Sequence, residues 1–128
     1  MKRVLILVAA VALPCSLSGC GGDTRSSLMK QLVATVNEVA DTLATIKDQA
    51  SAEAAKPKLK ALGERYRDID KRGKALKEPT PEEKTALEKE YAEPLKSAYG
   101  RLLSEMLRVA FVPGGKEALQ EMGEIKRN

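Results

Sequence analysis

Few side chains in this sequence are equipped for chemistry, and their identities narrow what it can do. There are two thiols, Cys15 and Cys20, and no histidine. Without imidazoles, and with only two cysteines, the ligand sets that hold zinc, haem or iron–sulfur clusters cannot be assembled. Every His-based triad is excluded too, along with the commonest general base near neutral pH. The remaining acids make no catalytic pair: Glu82 and Glu83, or Asp68 and Asp70, stand one or two residues apart and face different ways on a helix. The residues therefore lead us to expect no catalytic residue, no metal and no cofactor.

One charge pattern stands out. Residues 52–77 carry nine basic side chains against four acidic ones, with Lys56, Lys60, Arg67, Lys71 and Lys74 at roughly helical spacing. Such a face can bind anionic headgroups or envelope polymers. It can equally be a solvated face paired with the acidic run Glu82, Glu83, Glu88, Glu90 and Glu93. The second reading is preferred, because opposite charge blocks on neighbouring helices need no ligand.

The N-terminus reads as an address. Lys2 and Arg3 supply a positive start, residues 4–13 are an unbroken run of ten apolar residues, and Pro14 comes directly after. Ten residues span about 15 Å as a helix, roughly half a hydrocarbon core, so the run fits a signal peptide and is too short for a permanent anchor. Next come Leu17-Ser18-Gly19-Cys20, an apolar residue and two small ones leading to a cysteine. This stretch resembles the lipobox of bacterial lipoproteins at all four positions. The resemblance implies that the Cys20 thiol receives a diacylglyceryl group, that cleavage falls between Gly19 and Cys20, and that the new amino terminus is acylated as well. Cys15 fits poorly, because Pro14 at the junction has no N–H and a fixed geometry. Several acyl chains on one cysteine hold a membrane firmly, whereas a single chain binds reversibly. In enteric-type lipoproteins Asp after the cysteine marks inner-membrane retention. Gly21 stands there, which favours the outer membrane.

Removal of residues 1–19 takes Lys2 and Arg3 with it, leaving 20 basic against 18 acidic residues. With export expected and no stacking aromatics or groove-reading motif, nucleic acid is not an expected partner. The expected organisation is a signal peptide over 1–19, a lipidated Cys20 with a small polar tether over 20–27, and one helical domain over 28–128. Fully extended, the seven residues 21–27 reach about 23 Å.

The domain is expected to be all-α. Composition agrees: one Phe, three Tyr and no Trp leave Ala, Leu and Val to build the core. From Leu28 to Ala50 the apolar residues Leu28, Leu32, Val36, Val39, Leu43, Ile46 and Ala50 recur every three or four, one stripe on a helix. Ala52, Ala55, Leu59, Leu62, Tyr66, Ile69, Gly73 and Leu76 repeat the pattern more strictly, as in coiled coils. The two helices are expected to form an antiparallel hairpin with a very short turn over 48–51 and Ser51 as the second cap. Pro57 is a candidate kink. Thr80-Pro81-Glu82-Glu83 reads as a capping box with Pro at the first helical position. The third helix carries Leu87, Tyr91, Leu95, Ala98, Leu102, Met106 and Val109, with a bend expected at Pro94. Leu103, Leu107, Ala110 and Phe111 form a second apolar side. After the turn Pro113-Gly114-Gly115, a short helix with Ala118, Leu119, Met122 and Ile125 is expected to fold back over that side. The expected arrangement is a three-helix bundle plus this cover. Leu103, Leu107, Phe111 and Leu119 could together line an apolar pocket.

These features lead us to expect a membrane-anchored envelope lipoprotein with a structural or interaction role and no enzymatic activity, its envelope partner and oligomeric state left open. The alternative is a ligand-binding or accessory lipoprotein that uses the basic second helix or the apolar pocket.

Overall fold

The structure, a computed structural model, describes residues 22–123. Cys15, the Gly19–Cys20 junction and the apolar run 4–13 lie outside these residues, as does Ile125. Capping chemistry sets the helix starts. Thr24 accepts a hydrogen bond from the Ser27 amide at 3.1 Å and opens α1, Arg25–Ala44. A reciprocal box of Asp48 and Ser51 opens α2, Gln49–Ala75. The cap is thus Asp48 rather than Ser51, which serves as the third helical residue of the box. Thr80 and Glu83 form the expected box, with Pro81 leading α3, Pro81–Val109. Gly114 sits at φ +76°, a left-handed conformation that glycine adopts without strain, and turns the chain into α4, Gly115–Glu121. No strand occurs among the described residues.

Both prolines lie inside continuous helices. Pro57 and Pro94 are exposed, as are Glu53 and Glu90 four residues before them. The carbonyls freed by the missing N–H groups therefore face water, and no buried backbone group goes unpaired on their account.

α2 runs antiparallel to α1, with Arg65 on Glu38 at 2.9 Å and Arg72 on Gln31 at 3.3 Å. α3 runs in the same sense as α1: Tyr91 meets Ser26 near its start at 2.9 Å, and Arg101 meets Asp41 at 2.5 Å. Both flanking helices pack on α1, yet no Cα of α2 comes within 8 Å of one in α3. Packed helices normally lie 8–10 Å apart axis to axis, so α2 and α3 stand apart as the walls of a wedge whose floor is α1.

Two devices fill the wedge. The hydroxyls of Tyr66 and Tyr99 meet across it at 2.9 Å. Towards the C-terminal end of α1, α4 lies against α2 and brings Ala118 and Met122 into the same core as Val36, Val39, Ala40, Leu43 and Ile46. Thr35 and Thr42 are buried within α1 and return their hydroxyl protons to the Gln31 and Glu38 carbonyls at 2.8 and 2.7 Å. Among the described residues no buried side-chain nitrogen or oxygen lacks a hydrogen bond.

The short helix does fold back, but not over the side expected. It packs mainly on α2, Leu119 is half-buried at the core edge, and Leu103, Leu107 and Phe111 stay 53%, 59% and 89% exposed. Those four residues therefore form no pocket. The physical reason is the wedge. Seated on α2 beside the end of α3, α4 buries Ala118 and Met122 in the shared core, and that removes more apolar area from water than lying along the ridge of α3 would.

The close approach of α4 requires glycine. A Cβ on Gly63 would stand 2.2 Å from the Met122 carbonyl oxygen, and one on Gly115 would stand 1.9 Å from that of Val109. Alanine in mid-helix ordinarily outperforms glycine by about 1 kcal/mol. At Gly63 the clash reverses the sign, and Gly63→Ala is expected to lower unfolding free energy by about 1–3 kcal/mol, as overpacking does. Gly73→Ala is the control, because its Cβ would meet only Leu28 Cδ1 at 4.0 Å. Urea midpoints of the two variants should move in opposite directions. Equal shifts would mean that α4 is not docked on Gly63.

Candidate functional site

Three surfaces bear on function: the basic side of α2, the apolar ridge of α3, and the end of the bundle where α1 begins. The basic residues are largely engaged within the fold. Lys56 pairs with Glu53 at 2.5 Å, an interaction that, with Glu117 and Glu121 of α4 nearby, raises its pKa. Arg67 donates to the Met122 carbonyl at 3.0 Å and so closes the end of α4. Lys74 pairs with Asp70 at 2.7 Å. Lys60 and Lys71 are exposed and show no ion pair among the described residues. The five therefore do not make one free cationic face. Their partners are not those expected either, since the α2 backbone stays clear of α3 and the acids paired with α2 sit on α1, on α2 itself and in the segment before α1.

Arginines close further helix ends. Arg108 donates to the carbonyls of Leu43 and Ile46 at 2.8 Å each, so a residue of α3 binds carbonyls at the end of α1 and just beyond it. Arg25 donates to the carbonyls of Leu76 and Lys77 and ties the start of α1 to the α2–α3 connection. No group of three or more metal-ligating acids or cysteines occurs among the described residues. No helix among them is long and apolar enough to cross a membrane.

The bundle end nearest Cys20 in sequence is the most organised of the three surfaces. Arg72 grips Asp23 through its Nε at 2.8 Å and holds Asp68 at 3.1 Å. The hydrogen bond from Arg72 keeps the Asp23 carboxyl below its ordinary value of 3.8. The fold therefore reaches to Asp23 and Thr24, and helix starts three residues before Leu28. That leaves the expected tether over 20–27 only residues 21 and 22 between Cys20 and the first anchored side chain. Beside this point an open groove of about 480 Å³ lies between α1, the end of α2 and the connection that follows it, its apolar side made by Leu28, Met29, Leu32, Ile69 and Pro79. The first six residues of α3, 81–86, are all exposed just beyond it.

Asp23 escapes sequence reasoning because its partner lies 49 residues away. Thr24, by contrast, is readable as a cap, since it precedes a helical run and its acceptor oxygen reaches the amide three residues on. No protein-family model, curated protein or solved structure matches the chain.

The Asp23–Arg72 contact carries a pH signature. A carboxylate whose folded pKa is depressed contributes stability that is present above its unfolded value, 3.8, and lost as the pH falls through the folded value. Asp23→Asn is therefore expected to be less stable than the unsubstituted chain at neutral pH, with the gap closing as the pH drops below 3.8. Urea midpoints across this range measure it. A gap that does not change with pH would mean that the ion pair contributes nothing.

Proposed function

We propose that this chain is a bacterial envelope lipoprotein, held to a membrane by acyl chains on Cys20, whose helical domain has a structural or interaction role and no catalytic one. The observation that carries the reading is Leu17-Ser18-Gly19-Cys20, placed after a basic start and a ten-residue apolar run. The residues just beyond Cys20 support it. Asp23 is already part of the fold, so two residues, at most about 10 Å of extended chain from Cys20 to Asp23, separate the lipidated cysteine from a fixed point. A bundle on so short a leash sits with the start of α1, the end of α2 and residues 76–80 against the headgroups. Its other end stands about 30 Å away, the length of the 20 residues of α1. Gly21 after the cysteine favours the outer membrane as the destination.

The alternative, recognition of an envelope lipid or polymer, gains one specific support and loses two. The groove beside Leu28 and Met29 offers apolar surface at the membrane-facing end. Against it, the basic side of α2 is partly consumed by internal pairs, and Leu103, Leu107 and Phe111 are not gathered with Leu119.

Metabolic labelling with a clickable fatty acid tests the anchor. The unsubstituted chain is expected to take up label and fractionate with membranes, and Cys20→Ser to take up none and accumulate as uncleaved precursor. Label on the Cys20→Ser chain, or none on the unsubstituted chain, would overturn the reading.

A further inference from the structure

One position in the seam of α2 has no packing reason to be glycine. Gly63 is demanded by the backbone of α4, but a Cβ on Gly73 would meet only Leu28 Cδ1 at 4.0 Å. Alanine would serve the helix better there. What the absent side chain leaves is space, and that space is part of the groove beside Leu28 and Met29. A smaller hollow of about 140 Å³ continues it towards α3, sharing Leu28, Met29, Gly73 and Pro79 and adding Leu87 and Lys84. The charged groups of the two hollows are three cations, Arg25, Lys74 and Lys84, and two acids, Asp70 and Glu78. Lys74 answers Asp70 at 2.7 Å, and Arg25 commits one terminal nitrogen to the Leu76 and Lys77 carbonyls. Lys84 shows no ion pair among the described residues. An apolar floor with guanidinium and ammonium donors left over at its rim suits an anionic amphiphile.

We propose that the groove binds a phospholipid of the leaflet that holds the anchor, with acyl carbons against Leu28, Met29 and Pro79 and the phosphate against Arg25 and Lys84. Place decides the occupant. From Cys20 to Asp23 the chain reaches at most about 10 Å, while a headgroup layer is itself about 5–8 Å deep, so little length is left to lift the bundle clear. Arg25 is the first residue of α1, and Leu76 and Pro79 follow the end of α2, so the groove opens at the same end of the fold as Asp23. Leaflet phospholipids are then the amphiphiles at the highest effective concentration beside it. The bare ridge of α3 is at the opposite end, level with Asp41 and Leu43, and gains no such neighbour. The choice of a leaflet phospholipid rests on the lipid-anchor reading. The apolar floor and cationic rim do not.

The test uses the full chain and a phosphatidylglycerol with a photoreactive diazirine in the upper part of one acyl chain. The probe is presented in phospholipid vesicles and in detergent micelles, adducts are mapped by mass spectrometry, and fatty-acid uptake is measured on the same preparation. Expected in both arms is label at Met29, Leu76 and Pro79, with the more exposed Leu103, Leu107 and Phe111 left unlabelled as an internal control. Gly73→Leu places a side chain in the groove from a site with room for it. It should cut the label about tenfold, the equivalent of roughly two methylenes kept from burial, with the helical circular dichroism unchanged. Lys84→Glu, at an exposed position where folding is not at stake, should lower the label severalfold through loss of the phosphate contact. Label that follows exposure onto the ridge, no label in the groove, or indifference to Lys84→Glu would each overturn the proposal. A chain that takes up fatty acid yet shows no groove label removes the lipid site and leaves the anchor. A chain that takes up none yet labels in micelles removes the anchor and leaves the site.

Discussion

Everything in this fold leans on one helix. α2 and α3 make no close approach to each other, so α1 is the surface both of them bury. Four of its side chains, Val36, Val39, Ala40 and Leu43, are wholly enclosed, as is Ile46 just beyond its end. Each buried aliphatic of valine size or larger contributes about 1.5–3 kcal/mol, and in α1 these contributions serve two interfaces at once. Two long helices whose backbones stay apart leave an open wedge. The tyrosine bridge spans it, and Gly63 and Gly115 are what let α4 pack closely against α2 and the end of α3.

Polar chemistry in the domain serves the same end. Arg25, Arg67 and Arg108 donate to backbone carbonyls at or just beyond the ends of α2, α4 and α1, three places where carbonyls lack helical partners. A planar guanidinium with several donors suits such work better than an ammonium does. Arg72 instead gathers Asp23, Asp68 and Gln31, and so fastens the segment before α1 to α2. Most other ion pairs are exposed and contribute little individually. What the charges achieve is a surface whose positive and negative groups answer one another, in place of a single cationic field.

Local rules make much of this legible. The three-and-four spacing of Val36, Val39 and Leu43 and of Leu59, Leu62 and Tyr66 marks the buried faces, and Thr80-Pro81-Glu82-Glu83 marks the start of α3, because each depends only on neighbours within a turn. What escapes depends on distance. Sequence alone docks α4 on α3, because Leu103, Leu107 and Phe111 would otherwise face water, whereas α4 packs mainly on α2. The telling residue is Gly63, whose missing side chain marks where backbone can come close, but whose partner Met122 lies far along the chain. Charge alone matches the basic residues of α2 with the acids of α3, and the wedge keeps those helices apart. Of the candidate sites, the ridge residues are visible in the sequence, but as a covered pocket wall rather than a bare surface. The anchored end at Asp23 cannot be found without its long-range partner Arg72.

The central claim is that α1 is the shared wall on which both flanking helices depend, and native-state hydrogen exchange measures this directly. The amides of α1 between Val36 and Leu43 should exchange only through global unfolding. Their opening free energy should equal that from urea denaturation and fall in step with it in destabilised variants. Amides of residues 84–90, near the exposed start of α3, should open at a much smaller cost. If α1 exchanged at a lower free energy than α2 or α3, or if the α1–α2 hairpin stayed protected while α3 opened separately, the wedge would not be a cooperative unit and the account would be contradicted.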